Sequence, residues 1–371
     1  MKVLFISRST LYSGPGGDTI QIGKTAEYLR AGGIAVDIRL SNEAVDYTSY
    51  DLIHFFNIIR PADILPHIFR SKKPYVISPI YVDYSEFDAR FRRGMAKFVF
   101  RFLSADHIEF LKVLARRLVR GEPIVSTRYL IWGHRRSVKF IVRHARCLLP
   151  NSHSEYRRLA ARYGVEQTYR VIPNAVDGKL FKPPPEETDR TPNLILCVGR
   201  IEGIKNQIQL IRAVNGTGYT LFLIGSAAPN QQGYYDACRA IAGANIHFIP
   251  QVSQQELIRY YSRAKVHVLP SWFETTGLSS LEAAAMGCNI VITDKGDTYE
   301  YFGDDAWYCD PGSADSIRDA FTRAASSPRK EGLIKKIGQS YTWEIAAKET
   351  AAAYQAIVSS PSGRTAAGTT G

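Results

Sequence analysis

Short apolar runs alternate with stretches of helical spacing along this chain, and the alternation happens twice. KVLFIS, IAVDIRL, DLIHFF and PYVISPI punctuate the first third; NLILCVG, YTLFLIG, NIHFIP, VHVLP and NIVIT punctuate the second half. Helical spacing fills the gaps: Ile22, Ala26 and Leu29 repeat before Gly32 and Gly33 end the first such stretch. Apolar runs too short for helices, each followed by a helix, predict a parallel sheet with crossover connections. A chain of 371 residues exceeds one ordinary core, so the alternation resolves into two doubly wound α/β domains.

The expected boundaries follow from composition. Residues 1–182 form the first domain, with ARCLLPNS and YRVIPN as further strands on either side of the helical SEYRRLAARYG. KPPPEETDRTPN breaks the periodicity, which makes residues 183–193 a linker to a second domain over 194–340. A closing helix covers 341–358 around WEIAAKETAAAYQAI, and the small, polar residues 359–371 read as a disordered tail. The five cysteines stand singly in apolar surroundings with no C-x-x-C, which excludes a zinc ribbon and a disulfide scaffold and fits the cytoplasm. MKVLFISRST builds no signal-peptide core, and no run of about 18 apolar residues appears, so neither export by that route nor a membrane span is expected.

Ligands of parallel sheets sit beyond the carboxyl ends of the strands, which directs attention to four loops. After KVLFIS comes Ser13-Gly14-Pro15-Gly16-Gly17, whose glycines let backbone amides approach a ligand at a helix N-terminus. Thr19 stands where a dinucleotide fingerprint needs its third glycine, and a plain tight turn explains the segment as readily. After NLILCVG, Gly199 leads into Arg200 and Lys205, a fork and a point charge able to clamp a diphosphate, or simply a solvated pair. After VHVLP, FETTGLSSLE places Glu274 in a loop and Glu282 on the following helix, one turn beyond Leu278. The helix amides near Gly277 and Leu278 face the same space and favour anions there. A carboxylate accepts two hydrogen bonds from a vicinal diol, which suits one glutamate to a ribose and the other to a sugar ring. A helix-end charge would account for Glu274 and a surface position for Glu282, but neither accounts for the pair together with the glycine.

VGRIEGIKN, IPNAVD with Phe181, LIGS, the long run HFIPQVSQQELIRYYSRAKVHVLPSWFETTGLSSLEAAAMGCNIVIT, and DPGSADSI together resemble the family-4 retaining glycosyltransferases of the GT-B fold. The resemblance runs through the second domain almost end to end, and reaches the first more loosely through Gly16-Gly17 and DLIHFF. It implies two Rossmann-like domains facing across a cleft, with the helix near Trp343 crossing back to the first. It also implies a nucleoside-diphosphate-sugar donor, a UDP- or GDP-sugar, as substrate, with no separate cofactor. By resemblance Arg200 and Lys205 hold the diphosphate, Glu282 the ribose, and Glu274 with the amides of Gly277 and Leu278 the transferred sugar. Gly17 closes over the phosphates, and Gly16, Gly199, Gly225 of LIGS and Thr276 complete the donor set. The family commonly carries a histidine after the strand corresponding to PYVIS, where this chain reads SPIYVDY. Asp83 or Tyr81 is the candidate in its place beside the catalytic set Glu274, Arg200 and Lys205; His54 either lines the cleft or is a satisfied core histidine. No D-x-D occurs, so no metal is expected, and the resemblance implies retention of configuration.

The net charge of +12 is local: residues 84–146 hold fifteen Lys and Arg against five Asp and Glu. FRRGMAKFVFRFL and FLKVLARRLVRG mix cations with Phe, Leu and Val, as helices lying on anionic lipid do, although the apolar stripe could equally pack on the sheet. A saccharide or lipid-linked saccharide acceptor, surface polysaccharide or lipopolysaccharide assembly, and a peripheral place on the inner face of the cytoplasmic membrane follow from family habit. No nucleic-acid motif accompanies the charge. The competing readings are a nucleotide-sugar epimerase of the same fold, a dinucleotide oxidoreductase, and a non-catalytic nucleotide-sugar-binding protein.

Overall fold

Alternate residues of the first strand enter opposite cores. In β1 (Lys2–Ser7), Val3 and Phe5 join one buried cluster and Leu4 and Ile6 another, because successive side chains of a strand point to opposite faces. Both faces are therefore apolar, the condition of a fully covered parallel sheet. The computed structural model describes residues 1–84, 86–87, 90, 106–107, 110, 126–184 and 190–359. Its first sheet has the order β2–β1–β3–β4–β5, all parallel, with β2 at Ala35–Leu40, β3 at Leu52–Phe56, β4 at Tyr75–Ser78 and β5 at Cys147–Leu148. Helix α1 (Gly17–Ala31) covers one face with Ile22, Ala26 and Leu29; α2 (Pro61–Ser71), α3 (Thr127–His144) and α4 (His153–Tyr163) supply the other.

The second sheet has six parallel strands: β6 (Thr191–Val198), β7 (Thr220–Ile224), β8 (Ile246–Ile249), β9 (Ala264–Leu269), β10 (Asn289–Ile292) and β11 (Trp307–Tyr308). Their order, β11–β10–β9–β6–β7–β8, reverses direction between β6 and β9. The crevice beyond the carboxyl ends of those two strands is where such a sheet binds its ligand. Helices α5 (Gln207–Val214), α6 (Gln232–Ile241), α7 (Gln254–Arg263), α8 (Leu278–Ala285), α9 (Thr298–Phe302), α10 (Ala314–Ser326) and α11 (Glu331–Ser340) complete this domain. The last helix, α12 (Trp343–Ser359), returns to the first domain, where Trp343, Ala346, Ala347, Ala353 and Tyr354 share a cluster with Phe5 and Ile22.

Three expectations change in detail. YRVIPN is not a ladder strand: Tyr169 makes a single bridge to Leu148, and the segment beyond it leaves the sheet. The chain enters the second core before the prolines, since Val176 and Phe181 pack there, Phe181 against the Tyr261 ring. β6 begins at Thr191, inside the span read as linker. The outgoing and returning crossings lie side by side, the Val176 amide donating to Tyr341 O (2.9 Å) and the Trp343 amide to Val176 O (3.3 Å). Most of the basic segment, residues 91–105 and 111–125, lies outside the described residues, as do 185–189 and the tail from 360.

Candidate active site

The loops after β6 and β9 meet at the point where the strand order reverses. The Trp272 amide donates to Ile204 O (2.8 Å), so the two loops are joined through their backbones. Asn206 enforces the first loop's shape: it takes the left-handed conformation (φ 60°) that asparagine tolerates, and its amide donates to Pro270 O (3.1 Å) and Pro311 O (2.7 Å). That turn brings Lys205 to Glu274, Nζ to Oε1 at 2.5 Å, while the Ser271 hydroxyl donates to the same oxygen at 2.6 Å. Glu274 is buried, so its charge is balanced by Lys205 rather than by water.

Gly277 (φ 74°) turns the chain into α8, whose Ser280 and Leu281 amides bond back to Gly277 O (2.8 and 3.0 Å), which leaves the amides of Leu278 and Ser279 as its free amino end. Opposite stands the amino end of α1, capped by Gly16. A Cβ on Gly17 would lie 3.5 Å from Leu278 Cδ1, and one on Gly16 would lie 3.4 Å from Arg200 Nη1. Two helix amino ends, two cations and a buried carboxylate therefore gather where the two domains meet, a setting that favours an anionic ligand. Arg200 is part exposed and pairs with Glu202 at 2.9 Å. Gly199 and Gly225 lie under this loop, both at φ 150°; a Cβ on Gly225 would come within 2.0 Å of the Gly199 carbonyl oxygen, so only glycine permits the approach.

Glu282 is enclosed, accepting from Gln254 Nε2 (2.9 Å) and Tyr261 Oη (3.1 Å). Burial pushes its carboxyl up to about 7 against the pull of those two donors. The alternative of a surface glutamate is thereby removed. Thr276 is also enclosed, and its hydroxyl accepts from Asn174 Nδ2 (3.1 Å) at the crossing between domains.

His54 is the satisfied core histidine. Its Nδ1 meets the Tyr354 hydroxyl (2.6 Å), its Nε2 the Ser78 hydroxyl (2.8 Å), and burial holds it neutral down to about 3. The SPIYVDY loop is positioned by a group the sequence reading did not use. The buried carboxylate of Glu155 accepts from the amides of Tyr81 (2.7 Å) and Asn151 (2.6 Å), and burial raises it to about 7. Asp83 sits within electrostatic reach of Arg158 and Tyr81. The start of the basic segment reaches the second domain: Glu86 pairs with Lys295 (3.1 Å), Arg90 stacks on Trp272 (4.6 Å), and Phe87 covers Gly203. Sequence spacing signalled none of these contacts. Ser271 alone was within local reach, three residues before Glu274.

Comparison with known proteins bears on this arrangement. Residues 179–340 match the sequence model of the family described as Glycosyl transferases group 1. The D-inositol 3-phosphate glycosyltransferase of Acidothermus cellulolyticus is 26% identical over 178 residues, covering 42% of this chain and 40% of that protein. The MMP alpha-(1->4)-mannosyltransferase of Mycolicibacterium hassiacum is 27% identical over 206 residues, covering 51% and 48%. The chain thus spans about half the length of these curated relatives, or less. Among solved structures, the sucrose-phosphate synthase of Thermosynechococcus elongatus superposes with a TM-score of 0.73 at 17% identity, over 96% of this chain and 99% of that one. Anabaena HepE in complex with UDP-glucose superposes at 0.68 with 16% identity, over 96% and 100%. The fold is GT-B, as the likeness over nearly the whole of each chain establishes.

Proposed function

We propose that this chain, whose second domain matches the group 1 glycosyl transferases, moves a sugar from a nucleoside-diphosphate-sugar to a saccharide acceptor in the cleft between its domains. The observation that carries this reading is the cluster of Lys205, Glu274 and Ser271 at the strand-order reversal, faced by the amino ends of α1 and α8. Arg200 and Lys205 hold the diphosphate, Glu282 the ribose diol, and Glu274 with the amides at Gly277 and Leu278 the transferred sugar. In the reaction the acceptor oxygen bonds to the anomeric carbon as that carbon's bond to the phosphate oxygen breaks. The departing phosphate gains charge that Arg200, Lys205 and the helix amides stabilise, and it takes the acceptor's proton. These fixed cations serve where other enzymes use a divalent ion, which supports a metal-independent reaction, and the resemblance to retaining glycosyltransferases is what supports retained configuration. The UDP and UDP-glucose complexes of HepE, a protein of the same fold, favour a uridine donor as the first to try. The basic segment supports a lipid-linked acceptor presented at an anionic membrane surface.

Thermal shift with UDP-, GDP- and ADP-sugars tests the reading, since a ligand that binds the folded state raises its stability by mass action. Glu274→Ala is expected to weaken the response to the sugar-nucleotide more than to the free nucleotide, and Glu282→Ala to weaken both. Equal losses in the two variants would remove this division of roles. Donor binding with neither hydrolysis nor transfer would favour a binding protein instead.

A further inference from the structure

Among the contacts the first domain makes with the Glu274 loop and the segment beside it, one side chain supplies two. Arg158 projects from α4, a helix anchored in the first core by Leu159 and Tyr163. Its guanidinium stacks on Phe273, 5.0 Å from the ring centre, immediately before Glu274. It also forms a two-pronged pair with Asp297, through Nη1 to Oδ1 and through Nη2 to Oδ2 at 2.9 Å. Asp297 in turn is fastened to Glu274: its amide donates to the Glu274 carbonyl (2.9 Å), and the Glu274 amide donates to Lys295 O (3.0 Å). Gly296, between them at φ 105°, lies so close that a Cβ would sit 2.0 Å from the Glu274 carbonyl oxygen.

The Asp297 side chain is fully buried and its charge is matched by Arg158. The Ser154 hydroxyl also donates to Asp297 (2.5 Å), and the neighbouring Glu300 accepts from the amides of His153 (2.7 Å) and Ser154 (3.0 Å) at the amino end of α4. A bidentate pair fixes direction as well as distance, so a shift of α4 is passed to Asp297 and from its amide to the backbone of Glu274.

We propose that Arg158 is a positioning residue for Glu274, with Asp297 as its relay, so that the carboxylate meets the donor sugar only when the two domains are correctly disposed. The inference rests on the functional reading above and adds to it a first-domain residue that acts through Phe273 and Asp297. Misplacing a reacting group by an ångström costs about 100-fold in rate, whereas the diphosphate contact from Arg200 and the ribose contact from Glu282 do not pass through Arg158.

The test uses the full chain, with UDP, UDP-glucose, GDP and GDP-mannose as probes, titrated by calorimetry and assayed for donor hydrolysis. Arg158→Lys and Asp297→Asn are expected to lower kcat about 10- to 100-fold with donor KM changed less than about threefold. Affinity for the free nucleoside diphosphate stays at the wild-type value, while the added affinity from the sugar falls. Unchanged kcat in both folded variants overturns the proposal. A parallel loss of kcat and of free-diphosphate affinity also overturns it, because that pattern marks general damage to the domain. Should neither variant fold, Phe273→Leu removes only the stacking face; a drop in kcat at unchanged diphosphate affinity supports the proposal, and wild-type kcat overturns it. Wild-type protein that binds none of the four probes would overturn the functional reading itself, and this inference with it.

Discussion

Glu282 carries a conflict that its surroundings only partly resolve. Two donors, Gln254 and Tyr261, favour its ionised form, yet desolvation outweighs them and lifts the carboxyl to about 7. A carboxyl whose pKa is higher folded than unfolded binds its proton more tightly in the native state. Its contribution to stability is therefore fully present below the unfolded value of 4.5 and is lost as pH rises through about 7. Glu282→Gln escapes that loss, so its stability relative to wild type is expected to rise from pH 4.5 to 8 by on the order of 3 kcal/mol, read by denaturant unfolding at several pH values. Glu155, raised to about 7 by the same cause, stays in both proteins and cancels from the difference. On the proposed function, a ribose diol donates to the ionised carboxylate, so nucleotide affinity in wild type rises through neutrality and in Glu282→Gln does not. A difference in stability that is flat with pH would remove the burial argument.

The closing helix shows at the scale of elements what a single contact decides. α12 is rich in alanine and lies along α1, where small side chains allow close approach, and its one long polar side chain in the core is Tyr354. That hydroxyl meets His54 in β3, 300 residues earlier, and His54 holds Ser78 at the end of β4. Tyr354→Phe keeps the ring and removes the partner, leaving a buried imidazole nitrogen unsatisfied at a cost of about 1–3 kcal/mol. The expected readout is a lower denaturation midpoint with an unchanged slope, whereas wild-type stability would mean that the hydrogen bond contributes nothing net. Local spacing was enough to find this helix, because Trp343, Ala346, Ala347 and Tyr354 follow a helical period, and enough to find α7, whose Ser253 and Glu256 form a reciprocal cap. It misread YRVIPN, where apolar residues alternate as in a strand but serve to carry the chain from one core to the other.

Across the whole molecule the charge is as uneven as the packing. The excess of cations in residues 84–146 is a charge that an anionic surface senses within about 8–10 Å at physiological salt. Co-sedimentation with vesicles containing phosphatidylglycerol is expected at low salt and is expected to fall steeply with added sodium chloride; no binding at low salt would count against a membrane partner. Among the described residues no helix is long and apolar enough to cross a membrane. The two doubly wound domains were legible in the sequence because a strand buried on both faces must be a continuous apolar run and its crossover must be helical. The loops proposed to hold the donor stand out in the sequence too, since Gly199 to Lys205 and Glu274 to Glu282 are local patterns of glycine, cation and carboxylate. What the sequence determined, then, was every feature whose partners lie within a few turns of one another. Only the tertiary structure decided that Lys205 neutralises Glu274, that Glu282 is enclosed, that His54 belongs to the core, and that Arg158 grips Asp297 across the domains. Those pairings join residues 21 to 300 positions apart, and burial and charge balance act on distance in space, which no local period records.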